Sequence, residues 1–597
     1  MIKYYMEKTW VQYTTLVTLA LVMLYYWGFV FEFGYKFDWS VLFTVNETYG
    51  EHMGYKILWG MVMTLKITLI SSVIALTLGT IFGLMRVSSF LPVRMVASAY
   101  VEFFRNTPLL IQLFFWYFAL PMALPEAARE WVFSQNFEFW SATLGLAAYT
   151  GAFMAEIIRA GLQAIPRGLL EAAYSSGLNY SQVMRKVVLP IAFRNIIPPL
   201  GSEFLNNMKN SSLAMVVGVA ELAMASQDVE SLTFKGFEAT TAASVLYLSL
   251  SLVISGFLNA VNARMRMDTR DKYSTFERFG VMTLEPFVML WHFCMSPFTW
   301  VAHALRNRKK QSRTLSSRQL AYKKSMSALY KVLVIATKVA FVVALVGTVV
   351  SLARVLVGYN WQIIGENFTS LLWWRFPEGG SHEPLMGLGG LGLTIVTAVL
   401  AIVVSFPIGI LVGVGRTSDN ALFKVPCTIY IEVIRGNPLI MVIFWIYFFI
   451  PIVTGITLAT VWSGTVALII FTGAYLAEIV RGGIQNIPQG QFEAAKSTGL
   501  SYWQTMRVII LPQALKQMIP AIVGQFIAIF KDTSLLYIIG VLELTFVSQG
   551  MNNRLMVYSF EIFTAVAFLY FICCYAMSQY ARHLENKLTP EGTRLEM

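Results

Sequence analysis

The sequence predicts an all-α polytopic membrane protein built from two tandem copies of one helical unit, with about 6+6 transmembrane helices. Three observations predict it. The 597-residue chain is 56% hydrophobic and only 13% charged. Many of its apolar runs reach the about 20 residues that cross a bilayer core. One phrase is also written twice: EAAYSSGLNYSQVMRKVVLP (Glu171 to Pro190) and EAAKSTGLSYWQTMRVIILP (Glu493 to Pro512) agree at twelve of twenty positions.

The spans follow in order. Apolar runs lie at roughly 11–33, 56–86, 95–122, 140–163, 195–224 and 241–263, then at 331–357, 390–415, 421–451, 462–484, 514–545 and 556–580. GAFMAEIIRAGLQAIPRG from Gly151 returns as GAYLAEIVRGGIQNIPQG from Gly473, and KNSSLAMVVGVAEL from Lys209 returns as KDTSLLYIIGVLEL from Lys531, both at offset 322. Upstream the offset is 330, where VEFFRNTPLL from Val101 matches IEVIRGNPLI from Ile431, so the first copy holds eight extra residues between Pro121 and Gly151. The expected organisation is an anchor helix and external loop at 1–55, a first core at 56–263, a linker at 264–330, a second anchor and loop at 331–389 and a second core at 390–597.

Sidedness comes from the basic residues. Residues 264–330 hold thirteen Lys/Arg against four Asp/Glu, whereas 34–55 and 358–389 each hold one against three. Basic loops stay cytoplasmic, which places the N-terminus and the linker inside and those two loops outside. An even number of crossings must separate two cytoplasmic ends. The apolar patch from Phe287 to Leu305, broken by Pro297, therefore reads as an interfacial segment.

Composition also excludes classes. The net charge of +12 gathers beside apolar runs as membrane flanks do, so no nucleic-acid partner is expected. Cys294, Cys427, Cys573 and Cys574 lack ligand spacing, and His52, His292, His303, His382 and His583 are scattered, so no metal site and no disulfide framework is expected. The first apolar run is too long for a signal h-region and reads as a retained anchor. Asn46 and Asn367 begin glycosylation sequons, but so does Asn210 inside an apolar run, which marks these matches as chance. Gly-Lys occurs nowhere, so there is no phosphate-cradling loop, no catalytic residue and no cofactor site in this chain.

The doubled phrase spells an elbow. Pro166 suits a first helical turn, Gly177 a left-handed C′ position, and Asn179 with Gln182 has the spacing of a capping box; Pro488, Gly499, Ser501 and Gln504 repeat the set. Pro190 and Pro512 are expected to limit the second short helix. The alanines after each glutamate keep one face small.

Glu-Ala-Ala, three residues, Gly, nine residues, Ile/Val, one residue, Leu-Pro resembles the EAA loop of ATP-binding-cassette importer permeases, with Val187 in place of the usual Ile. The flanking GAYLAEIVRGGIQ, RGNPL and KDTSL resemble the polar amino acid group, which includes histidine, glutamine and glutamate/aspartate permeases, over about 56–263 and 390–580. The resemblance implies the type I importer permease fold in tandem, in a bacterial inner membrane. It implies that Glu171, Ala172, Ala173, Gly177 and Leu178, with Glu493, Ala494, Ala495, Gly499 and Leu500, form coupling helices that dock two copies of an ATPase subunit carrying ATP and Mg²⁺. It further implies an extracytoplasmic binding protein that delivers a small polar amino acid. A five-helix core begins outside and ends inside, so fusing two requires one added span between them, 331–357, whose counterpart is 11–33.

Lys209 and Lys531 sit inside apolar runs, where a lysine costs about 2.5 to 3.5 kcal/mol, so they should face protein or a pathway. With Asn210, Ser212, Asp532, Ser534, Arg105 and Arg435 they are the candidate substrate path. Asp532 stands beside Lys531 but Asn210 beside Lys209, which favours an anionic substrate; Lys209 could equally pair with Glu203 or Glu221. For Arg105 and Arg435 the alternative is pairing with Glu102 and Glu432, and for Arg159 and Arg481 with Glu156 and Glu478. Glutamine, histidine or arginine remain alternative substrates. An ion-driven secondary transporter shares a six-plus-six repeat but has no partner to dock at two cytosolic elbows, and neither has a channel or scaffold.

Overall fold

The computed structural model describes residues 9–26, 34–45, 50–265, 317–373 and 384–588. The interfacial patch at 287–305, the Asn46 sequon, Cys294 and three of the five histidines lie outside the described residues. Among the described residues the fold is helical with no strand, and every predicted span falls on a helix or a bent helix pair. Among the described residues eight helices are each long and apolar enough to cross a membrane, two further pairs qualify only when a bend is allowed, and Thr9–Tyr25 and Leu109–Met122, on the expected runs 11–33 and 95–122, are shorter apolar helices.

Those bends correct the sequence reading. The expected span 421–451 is two helices, Ala421–Gly436 and Leu439–Thr454, turned by 112°. The first copy breaks likewise between Leu91–Asn106 and Leu109–Phe114. Each break falls at an X-Pro step, Asn437-Pro438 or Thr107-Pro108, with both residues extended. Proline lacks the N–H of the helical ladder, and its ring pushes the preceding residue out of the α region. The runs 195–224 and 514–545 also stop short of one straight rod: Leu189–Asn210 and Leu511–Asp532 tighten into 3₁₀ turns, end at left-handed Gly218 and Gly540, and restart as Leu222–Thr233 and Leu544–Arg554. Glu221 and Glu543, fully buried, cap those restarts and take the hydroxyls of Tyr247 and Tyr570. The second anchor is one helix, Ser317–Val357, which starts inside the basic stretch.

Within each copy, the long helix Met53–Val87 or Gly390–Thr417 lies along Phe137–Gln163 or Thr460–Gln485. Glycines permit the approach. A Cβ on Gly79 would stand 2.6 Å from that of Met154 and one on Gly83 2.9 Å from the Ala155 carbonyl; Gly409 and Gly413 repeat this at 2.5 Å from Leu476 Cβ and 2.7 Å from the Ala477 carbonyl. Small-xxx-small seams replace the hydrophobic drive that lipid removes.

Between the copies the contacts are reciprocal, residue i to j and j to i, as in a two-fold dimer. Gly236–Met265 packs on Leu439–Thr454, where Ser251 donates to the Gly436 carbonyl at 2.5 Å. Ser559–Leu588 packs on the first copy through Phe563 against Phe114 and Phe118. The anchors cross over too: Gln12 accepts from the Ala421 amide at 2.9 Å, and Phe341 and Lys338 stand against Phe90.

Gly83→Val and Gly413→Val force overpacking and should each cost about 1 to 3 kcal/mol, lowering the melting temperature of the purified chain. Gly482→Ala, where a Cβ meets nothing within 4 Å, should leave it unchanged. Equal melting of all three variants would refute the seam.

Candidate functional site

The site forms where the two broken helices meet the two lysine-bearing helices. A helix C-terminus leaves carbonyls without partners, and lipid offers no water to satisfy them. Lys209 donates from Nζ to the carbonyl of Arg435, at the C-terminal end of Ala421–Gly436, at 2.7 Å. Lys531 donates to the carbonyl of Arg105, at the end of Leu91–Asn106, at 3.0 Å. Each lysine is buried and each crosses to the other copy. An ammonium at the negative end of a helix gains about 0.3 to 1 kcal/mol beyond the hydrogen bond itself. Neither Glu203 nor Glu221 forms an ion pair with Lys209 among the described residues.

The same elements enclose a polar cavity of about 200 Å³, drawn from both copies. Lys209, Asn210, Ser212, Lys531, Asp532 and Ser534 all line it. Ser212 and Ser534 donate their hydroxyls to the carbonyls of Lys209 and Lys531 at 2.6 Å, which leaves their oxygens as acceptors. Leu439 and Ile440 also line the cavity, in the first turn of a helix whose N-cap, Pro438, provides no side-chain cap. First-turn amides lack intrahelical acceptors and attract anions.

Arg105 and Arg435 stand beside the cavity without the expected partners. Their guanidinium groups lie 5.3 Å and 5.2 Å from the ring centroids of Phe153 and Tyr475, both of which line it, and the Nε of each is buried without a hydrogen bond. Glu102 instead meets Arg582 at 2.8 Å and Glu432 meets Arg416 at 2.6 Å. Arg435 approaches Glu478 at 3.6 Å, whereas Arg105 has no carboxylate within ion-pair distance among the described residues. The pairs Glu156–Arg159 and Glu478–Arg481 do form, at 2.5 Å and 2.7 Å, each joined by Arg86 or Arg416.

The expected lone cation of the first copy is corrected by Glu203. It lines the cavity where the second copy has Gln525, so each copy supplies one lysine and one carboxylate. Glu203, Asn206 and Asn210 are a polar stripe at i, i+3 and i+7 of a membrane helix; that spacing could have revealed the site in the sequence.

The elbows are as the motif predicts at their turns. Pro166 and Pro488 are N-caps; Gly177 (φ 77°) and Gly499 (φ 79°) follow Arg167–Ser175 and Gln489–Ser497 in left-handed conformation. The amides of Gly177 and Leu178 return to the carbonyls of Tyr174 and Ala173, closing a Schellman motif, and Gly499 and Leu500 do the same to Lys496 and Ala495. Both capping boxes form. Ala173 and Ala495 pack inward, while Glu171, Ala172, Glu493 and Ala494 are exposed, so the small residues divide between two faces. Pro190 and Pro512 do not stop the second helix. One wide π turn, Met184–Val188 or Met506–Ile510, carries it into the membrane helix and moves aside the carbonyl that the proline ring would strike.

Comparison with known proteins decides the family. The model for the binding-protein-dependent transport system inner membrane component matches residues 75–267 and again 405–590, more than half of the chain. The chain belongs to this family. It is 38% identical over 240 residues (39% of this chain, 65% of that protein) to the inner membrane amino-acid ABC transporter permease protein YhdY of Escherichia coli K12. It is 40% identical over 222 residues (36% and 49%) to the glutamate/glutamine/aspartate/asparagine transport system permease protein BztC of Rhodobacter capsulatus. It is 34% identical over 210 residues (35% and 92%) to the arginine transport system permease protein ArtQ of Bacillus subtilis. The matches span less than two thirds of the first two relatives. A solved amino acid ABC transporter with histidines aligns at 35% identity over 35% of this chain and 94% of that one, with a TM-score of 0.32.

Lys209→Met and Lys531→Met each orphan a buried carbonyl, so each should destabilise the purified chain by about 1 to 3 kcal/mol. Unchanged unfolding midpoints in both would show that the crossed bonds do not hold the copies together.

Proposed function

We propose that this chain is the entire membrane-spanning part of an ATP-driven, binding-protein-dependent importer of a polar amino acid, with an acidic amino acid, glutamate or aspartate, as its substrate. The observation that carries the reading is the central polar cavity built equally by two copies, each of which also presents one elbow. Two elbows suit two copies of an ATPase subunit that close on each other. ATP and Mg²⁺ belong to that subunit, and an extracytoplasmic binding protein delivers the substrate. The elbows and the basic linker face the cytoplasm of a bacterial inner membrane.

The charges support the acidic assignment. Four cations, Lys209, Lys531, Arg105 and Arg435, stand at or beside the cavity; with Arg435 set against Glu478, three remain for two carboxylates, Glu203 and Asp532. An amino acid's ammonium takes one carboxylate, and its carboxylate takes a cation or the uncapped amides at Leu439 and Ile440. One positive charge remains for a side-chain carboxylate. The named relatives include carriers of acidic, neutral and basic amino acids, so the acidic reading is supported by the charges of the cavity and not by the relatives.

Two experiments test the reading. Gly177→Val with Gly499→Val places β-branched residues in left-handed backbone, costing about 1 to 2 kcal/mol at each elbow, and should abolish uptake driven by the reconstituted ATPase. Full ATP-dependent uptake by that variant would remove the docking role. Competition of uptake by a panel of amino acids should rank glutamate and aspartate first, and Lys209→Met and Asn210→Asp should both lower uptake of these acids per purified complex. Preferred transport of arginine or histidine would reject the acidic assignment while leaving the importer reading intact.

A further inference from the structure

The eight residues that the first copy has in excess build a feature the second copy lacks. Between Met122 and Phe137 the chain forms a short helix, Glu126–Ser134, where the second copy passes from Thr454 to Thr460 with no helix. This helix roofs a cavity of about 380 Å³ walled by Trp116, Leu120, Val132 and Leu144, with Trp131 and Trp140 66% and 43% exposed. Only Gln135 and Ser141 in its wall are polar, and Ser141 donates its hydroxyl to the Glu138 carbonyl. Such a surface has nothing to offer a polar ligand.

Its place in the fold identifies an apolar one. The cavity opens at the start of Phe137–Gln163, a helix about 40 Å long whose far end leads into the Pro166 elbow. Trp140 and Leu144 are exposed on the flank of that helix, which is long and apolar enough to cross a membrane, and tryptophans concentrate where acyl chains meet headgroups. On the roof helix, Glu126, Arg129 and Glu130 stand at i, i+3 and i+4, hence on one face, while Trp131, Val132 and Gln135 turn to the cavity. None of the three charged residues forms an ion pair among the described residues. A cation between two carboxylates complements a headgroup with a phosphate and an ammonium.

We propose that this cavity holds one acyl chain of a zwitterionic, ethanolamine-type phospholipid of the outer leaflet, with the phosphate at Arg129 and the ammonium at Glu126 and Glu130. The leaflet rests on the reading of the elbows as cytoplasmic. The occupant does not depend on it, and lipid capture is measured without the ATPase, so the two can fail separately.

The test uses the purified full-length chain and phosphatidylethanolamine carrying a photoactivatable acyl chain, with adducts mapped by peptide mass spectrometry. Adducts should concentrate on peptides covering 116–144, about tenfold over the matching 446–466 stretch of the second copy. Leu144→Trp, at a position 38% exposed and so tolerant of bulk, should fill the cavity and remove that excess while the melting temperature holds. Arg129→Gln should lower adduct yield at unchanged melting temperature. Even labelling of the two copies, or an excess that survives Leu144→Trp, would overturn the proposal. So would equal labelling by the phosphatidylglycerol analogue, or a cavity shielded only when the extracytoplasmic binding protein is added.

Discussion

Two helices broken inside an apolar medium create the requirement that organises this molecule. At Asn106 and Gly436 the helical ladder ends with carbonyls that lipid cannot satisfy; Gln112 of the next helix takes up that of Phe104, but those of Arg105 and Arg435 need another donor. The donors that reach them, Lys209 and Lys531, come from the opposite copy. Breaking the helices and joining the copies are therefore one event. The lysines, costly alone in a membrane, become tolerable because a helix terminus receives them, and the carbonyls become tolerable because a charged donor arrives.

The rest of the packing follows the same exchange. Final helices, anchors and broken helices all contact the other copy, and one hydrophobic core draws buried residues from both, such as Leu113 and Phe114 with Ile443 and Phe563. Neither copy could bury its surfaces alone. The cavity at the centre inherits this arrangement: its walls are the partners of the crossed bonds, so any change in the distance between copies alters the surroundings of Lys209 and Lys531 directly.

Much of this was legible in the residues. The spans, the duplication and the elbows announce themselves because lipid demands long apolar runs and because Gly177, Gly499 and the capping boxes act through neighbours close in sequence. Lys209 and Lys531 were conspicuous as charges in apolar runs, but their acceptors were not, since a backbone carbonyl 226 or 426 positions away has no signature. The bends at Pro108 and Pro438 were visible in hindsight; hydropathy treats proline as one more residue and ran the spans through them. Glu203 enters the sequence reading only as a partner for Lys209 and not as a wall of the site, because the repeat is compared where it agrees, and this position is where it differs. The Glu126–Ser134 helix was hidden for the same reason, as residues with no counterpart.

Glu203 corresponds to Gln525, Asn210 to Asp532 and Tyr149 to Phe471 in the repeat, and all six line the cavity. In an assembly of two identical chains such differences are forbidden, because every substitution is made twice. A ligand on that axis would have two equivalent poses, related by half a turn, and could not be asked to choose. Covalent fusion removes the degeneracy. Here a molecule with unlike ends finds unlike walls, so the cavity can tell a ligand's head from its tail.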